Sequence, residues 1–173
     1  MIKKKTVFAS SILSVSLRRD KNSHNKKIVT IDSPNWVNII PITPSNKIVF
    51  VEQLRYGVDK KTLEIPGGMV DCGESSSQSA TRELLEETSY QPEKVIKLGK
   101  ISPNPALFSN HVTSYVAYGV KKIPYDHTEE NITTKLISRF NVNELIRNGY
   151  INHALVIAAF HLLNLRDKNA HNA

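Results

Sequence analysis

Cysteine is almost missing from this chain. Cys72 stands alone among 173 residues, so no internal disulfide can form, and no Cys/His set near it offers a metal cage or a catalytic partner. Long apolar runs are also missing. The longest candidates, residues 112–120 and 154–165, fall short of the roughly 20 apolar residues a helix needs to cross a bilayer, which excludes a transmembrane helix at either place. Residues Ser10, Ser11, Ser14 and Ser16 break up the start as a signal peptide, so a cytoplasmic protein is expected. Acidic residues are outnumbered, 16 against 23 Lys and Arg, and the net charge of +7 would attract nucleic acid, anionic membrane or an anionic small molecule. Apart from Lys3, Lys4 and Lys5, Arg18-Arg19 and Lys26-Lys27 the basic residues are scattered, and aromatics, only 7%, do not interleave with them. The expected partner is therefore an anionic small molecule, with no nucleic acid and no membrane.

The 40% of hydrophobic residues suffices for one ordinary core. Alternation in Ile12-Leu13-Ser14-Val15-Ser16-Leu17, a polar stretch at residues 20–25 and the run Ile28-Val29-Thr30-Ile31 predict a small antiparallel hairpin. Trp36-Val37-Asn38-Ile39-Ile40 and Lys47-Ile48-Val49-Phe50-Val51 flank the turn Pro44-Ser45-Asn46 and predict a second hairpin entering the core. Residues 75–88 contain no Gly or Pro and predict about four turns of helix. Further strands are expected at residues 95–101, 113–120 and 132–137, with a loop at 102–110. Two helices close the chain, the first capped by Asn141 or Asn143 and ended by Gly149, the second capped by Asn152, and residues 166–173 read as a frayed, disordered tail. A mixed sheet covered by helices, an α/β fold, is the expected architecture.

Helical spacing of residues 75–88 puts Ala80, Thr81, Leu84, Leu85 and Thr88 on one arc and Glu83, Glu86 and Glu87 on the adjoining arc. Glu83 and Glu87 are one turn apart and repel. Arg82 can pair with Glu86 and reach Glu74, which leaves Glu83 and Glu87 unbalanced. Clustered carboxylates are hard oxygen ligands, and Mg²⁺, with Mn²⁺ as an alternative, would balance them. A solvated acidic stripe is the other outcome.

The order Gly68, five residues, Glu74, seven residues, then Arg82-Glu83-Leu84-Leu85-Glu86-Glu87-Thr88-Ser89-Tyr90 resembles the box of the Nudix hydrolases. One specified position departs: Ser89 stands where the family has a glycine that ends the catalytic helix in a left-handed turn. The flanks, Val51-Glu52-Gln53-Leu54-Arg55-Tyr56 through Leu63-Glu64-Ile65-Pro66-Gly67-Gly68 and Gly149-Tyr150-Ile151-Asn152-His153-Ala154, look like ADP-ribose pyrophosphatases and related nucleoside diphosphate sugar hydrolases. Pro105, fifteen residues beyond the box, fits the same branch.

This resemblance implies a Nudix-type α/β/α sandwich with a mixed sheet over residues 36–165, a small N-terminal antiparallel β extension over 1–35 suited to dimerisation, and a homodimer. It implies that the Gly67 carbonyl, Glu83 and Glu87 hold the metal with Glu86 as auxiliary ligand, and that Arg82 belongs to the catalytic box. Glu130, or its neighbour Glu129, would activate water or complete the metal shell. Arg55 and Pro105 would meet the substrate. The implied reaction is Mg²⁺-dependent hydrolysis of ADP-ribose or a related nucleoside diphosphate sugar. A different nucleotide, such as GDP-mannose or a dinucleoside polyphosphate, or a non-catalytic nucleotide-binding module, is the competing expectation. Trp36 could stack on a base but is better read as core, and His111, His153 and His161 as structural.

Overall fold

The computed structural model describes residues 4–20, 26–126, 129 and 131–171. Its first three strands, β1 (Lys4–Ala9), β2 (Ser14–Asp20) and β3 (Lys26–Asp32), form a separate antiparallel sheet in the order β1-β2-β3. The expected two-stranded hairpin thus gains a third strand. Ser10 makes the difference: its hydroxyl accepts the Leu13 N–H at 3.2 Å and its own N–H meets the Leu13 carbonyl at 2.9 Å, a local turn hidden in an otherwise alternating stretch.

The remaining strands are β4 (Trp36–Ile42), β5 (Lys47–Arg55), β6 (Lys60–Glu64), β7 (Gly67–Met69), β8 (Tyr90–Gln91), β9 (Lys94–Ile101), β10 (Val112–Tyr118), β11 (Lys121–Lys122) and β12 (Thr133–Ser138). Seven of them make one mixed sheet in the order β12-β5-β4-β10-β9, with β6 on β5 and β7 on β4, while β8 pairs with β11. The β4–β10 pair is parallel and the others are antiparallel. β4 and β5 do not make the long hairpin expected of them; a single pair, Ile42 with Ile48, joins them before they part to admit β6 and β7. Gly67 permits that insertion, because a Cβ there would lie 2.3 Å from the Val37 carbonyl.

Among the described residues three helices, α1 (Ser76–Thr88), α2 (Val142–Arg147) and α3 (Ala154–His171), complete the fold. β4 is buried on both faces, which explains its unbroken apolar run. Val37 and Ile39, with Val49, pack against Ala80 and Leu84 of α1, whereas Ile40, Ile42 and Phe50 pack with Val156, Phe160 and Leu163 of α3. The result is the α/β/α sandwich expected from the sequence.

Helix ends depart from expectation in three places. Asn141 precedes α2 in α-region backbone without a side-chain cap bond, because a 3-10 turn at Arg139–Asn141 already leads into the helix. His153, not Asn152, caps α3: its Nδ1 accepts the Leu155 N–H at 3.2 Å. α3 also runs on to His171, tied by an ion pair between Arg139 and Asp167, so residues 166–171 are helical and not a disordered tail. Among the described residues no helix is long and apolar enough to cross a membrane.

Candidate active site

α1 begins with a capping box, in which the Ser75 hydroxyl accepts the Gln78 N–H and the Gln78 side chain accepts the Ser75 N–H at 2.9 Å. It ends at Ser89 in the left-handed conformation, φ 61° and ψ 22°, with the Ser89 N–H bonded to the Leu85 carbonyl at 2.8 Å. Serine therefore makes the same helix stop that glycine would, and its carbonyl accepts the Ile123 N–H at 2.9 Å.

The helix does not simply turn its acidic arc to solvent. Glu83 and Glu87 are 8% and 6% exposed and face β7. The Gly67 N–H donates to Glu87 Oε2 at 3.1 Å. A Cβ on Gly68 would lie 2.4 Å from Glu83 Oε1, so glycine at that position leaves the room the Glu83 carboxylate occupies. Burial is the main force on both acids: it pushes Glu87 up to about 8 against the opposing Gly67 N–H, and it raises Glu83 against the opposing Arg82 charge.

Arg82 is more widely engaged than the sequence suggested. Its guanidinium donates to Glu74 Oε1 at 3.1 Å, to Glu86 Oε2 and Glu83 Oε1 at 2.9 Å each, and to the Met69 carbonyl at 3.2 Å. Glu74 is held in turn by the Ser79 hydroxyl at 2.6 Å. Thus Glu83 is neutralised along with Glu86, a correction to the expected pairing, and Glu87 alone of the three forms no ion pair among the described residues.

Glu129 meets α1 through its backbone: its N–H donates to the Glu86 carbonyl at 3.1 Å. Its charge raises Glu83 and Glu87 and also acts on Arg55. Glu130 lies outside the described residues. Arg55, at the end of β5, adds a positive field that lowers Glu87. Arg55 is not a loose surface residue: Nε and Nη2 donate to the two oxygens of Glu64 at 2.8 Å each. Glu64, at the end of β6, is the site-adjacent residue that sequence reasoning passed over. Its only sequence signal is a charged residue between Leu63 and Ile65, just ahead of the Pro66-Gly67-Gly68 turn.

The structure does not bring every candidate together. Pro105 is exposed in a turn of the 102–110 loop, which is pinned to β3 through Ile31 and Leu107 at 2.8 Å, and no hydrogen bond or ion pair among the described residues joins it to the carboxylates. Trp36 is half-buried with its ring 5.9 Å from Phe108. Cys72 is exposed and free.

Among the described residues no three His, Cys, Asp or Glu side chains form a ready-made metal cluster. The donor set nevertheless fits a hard divalent cation. Two buried carboxylates, both pushed up by burial and Glu87 further by the Glu83 charge, lie against a glycine backbone, and a cation that keeps several waters needs only a few protein oxygens.

A family profile described as the NUDIX domain matches residues 34–160, and the chain belongs to that family. It is 33% identical over 123 residues to the "Methanol dehydrogenase activator" of Bacillus methanolicus, an alignment covering 70% of this chain and 66% of that protein. It is 27% identical over 118 residues to the "ADP-ribose pyrophosphatase" of Bacillus subtilis strain 168, covering 67% and 64%. The chain thus spans just under two thirds of the length of each. In three dimensions it matches a structure titled "Crystal structure of ADP compounds hydrolase" with TM-score 0.84 and 22% identity, over 100% of this chain and 96% of the other.

Proposed function

We propose that this protein hydrolyses the diphosphate bond of ADP-ribose or a related nucleoside diphosphate sugar, releasing a nucleoside monophosphate and a sugar phosphate, with Mg²⁺ as cofactor and Mn²⁺ as an alternative. The observation that carries the proposal is the burial of Glu83 and Glu87 against Gly67 and Gly68 of β7. Glu83, Glu87, the Gly67 carbonyl and Glu86 would hold the cation. When bound, it supplies positive charge that neutralises the diphosphate and makes a nearby water more acidic.

The remaining tasks belong to the chain. Glu129, anchored on α1 and exposed, is suited to accept a proton from the attacking water; Glu130 is the neighbouring candidate for that role. Arg82 fixes the directions of Glu83 and Glu86 by donating to both, which keeps the ligand oxygens preorganised. Arg55 offers a fixed guanidinium to the anionic diphosphate, and Pro105, which lies apart from the carboxylates, would meet a distal part of the substrate. For ADP-ribose, addition of one water across the P–O–P bridge gives AMP and ribose 5-phosphate.

The protein is further proposed to work in the cytoplasm as a homodimer. Phe8, Val15 and Ile31 align across the N-terminal sheet, and Val7, Phe8 and Val29 are 52%, 56% and 43% exposed, a surface that a second copy would cover. Substrate choice is tested by offering ADP-ribose, GDP-mannose, other sugar nucleotides and dinucleoside polyphosphates with Mg²⁺ and with EDTA. Fastest turnover of ADP-ribose supports the proposal, fastest turnover of GDP-mannose or a dinucleotide selects the alternative substrate, and no turnover of any compound favours a nucleotide-binding module.

A further inference from the structure

Glu64 is 3% exposed, less than either Glu83 or Glu87. Replacing a buried ion pair whole by apolar residues of similar volume often costs little, so stability alone does not account for this carboxylate. Its surroundings are built to keep it charged. Burial pushes Glu64 up, but hydrogen bonds from Arg55 and Thr62 more than offset it, and its carboxyl lies below the usual range. Arg55 Nε and Nη2 take one oxygen each at 2.8 Å, and the Thr62 hydroxyl adds a third bond at 2.6 Å. His153 Nε2 stands 3.9 Å from Glu64 Oε2. Because His153 Nδ1 accepts the Leu155 N–H, the ring proton of the neutral imidazole sits on Nε2, the nitrogen that faces Glu64.

We infer that Glu64 is a positioning residue for Arg55: it clamps two guanidinium nitrogens and leaves Nη1 for the substrate diphosphate. A bidentate fork holds the guanidinium plane as well as its place, which a single bond would not do. This inference rests on the proposed contact between Arg55 and the diphosphate.

The test compares wild type, Glu64→Gln, Arg55→Ala, the double variant and the milder Thr62→Val. Three readouts are taken: kcat and KM for ADP-ribose, the dissociation constant of its α,β-methylene analogue, and exchange protection of the Arg55 Nε–H by NMR. Loss of one charged hydrogen bond predicts that Glu64→Gln raises KM and the analogue's dissociation constant about tenfold, with kcat within about twofold. Thr62→Val, which leaves the ion pair in place, raises them about threefold. In the double variant the penalty equals that of Arg55→Ala alone, because Glu64 acts only through Arg55. The Nε–H is protected in wild type and loses protection in Glu64→Gln. Unchanged protection in a folded Glu64→Gln protein, or penalties that multiply in the double variant, would overturn the inference. Protection that responds as expected while Arg55→Ala binds the analogue as wild type does would instead sink the diphosphate contact and leave the clamp standing.

Discussion

The backbone N–H of Gly67 donates to Glu87 Oε2 at 3.1 Å, joining β7 to the last turn of α1 across twenty residues of sequence. That bond holds a buried carboxylate against β7, where the proposed cation would sit. It also fixes what changes at Glu83, Glu87 and their glycines should do.

Replacing Glu87 with Gln keeps an oxygen for the Gly67 N–H but removes the charge. The expected loss in kcat/KM is about a thousandfold, since several kcal/mol of charge stabilisation depend on the cation's ligands. The metal-free variant should melt no lower than wild type, because Gln is buried without the proton uptake that Glu87, pushed up to about 8, requires on folding. Steady-state kinetics and calorimetric melting of the same sample check both halves.

The pH dependence of the metal-free protein follows from Glu87. Its folded pKa, about 8, lies above the unfolded value near 4.5, so the folded state binds the extra proton between them. The stability it contributes is fully present below about pH 4.5 and is lost as pH rises toward 8. Glu83 shifts in the same direction. With EDTA present, the melting temperature should fall by several degrees between pH 5 and pH 9, and Glu87→Gln should flatten most of that slope. An equally steep slope in the variant would show that other groups dominate.

The two glycines of β7 should respond differently to alanine. At Gly68 the added Cβ meets the end of the Glu83 side chain at 2.4 Å, which can move aside. The fold should survive while the Mg²⁺ concentration for half-maximal activity rises about tenfold, as expected when a ligand is displaced. At Gly67 the Cβ meets the Val37 carbonyl at 2.3 Å and Asn38 Cα at 2.8 Å, both backbone. That substitution should cost about 2 kcal/mol of stability, measurable by urea denaturation.

Ser89 already makes the left-handed helix stop, so restoring glycine should stabilise the protein modestly, by about 1 kcal/mol, without changing kcat. A large gain in activity from Ser89→Gly would mean that the serine holds Glu87 away from its working position.

Much of this site could be read from spacing alone. The unbroken run from Ser76 to Thr88 and the one-turn interval between Glu83 and Glu87 depend only on local periodicity, and both appear as expected. Residues whose partners are distant in sequence were hidden. Glu64 looks like a strand-end glutamate until β5 and β6 pair and deliver Arg55 to it, and the engagement of Glu83 by Arg82 depends on side-chain directions that a helical wheel does not resolve. The length of α3 was missed for a similar reason, since its polar last turns are held by the contact of Asp167 with Arg139 and not by an apolar stripe.

The most direct test of the central claim is the release of AMP from ADP-ribose by wild type and Glu87→Gln protein, each with Mg²⁺ and with EDTA. Release by wild type with Mg²⁺, with none in EDTA and almost none from the variant, is the expected result. Equal release by the variant, or release that persists in EDTA, would contradict the assignment of the buried Glu83 and Glu87 pair as the metal-holding centre.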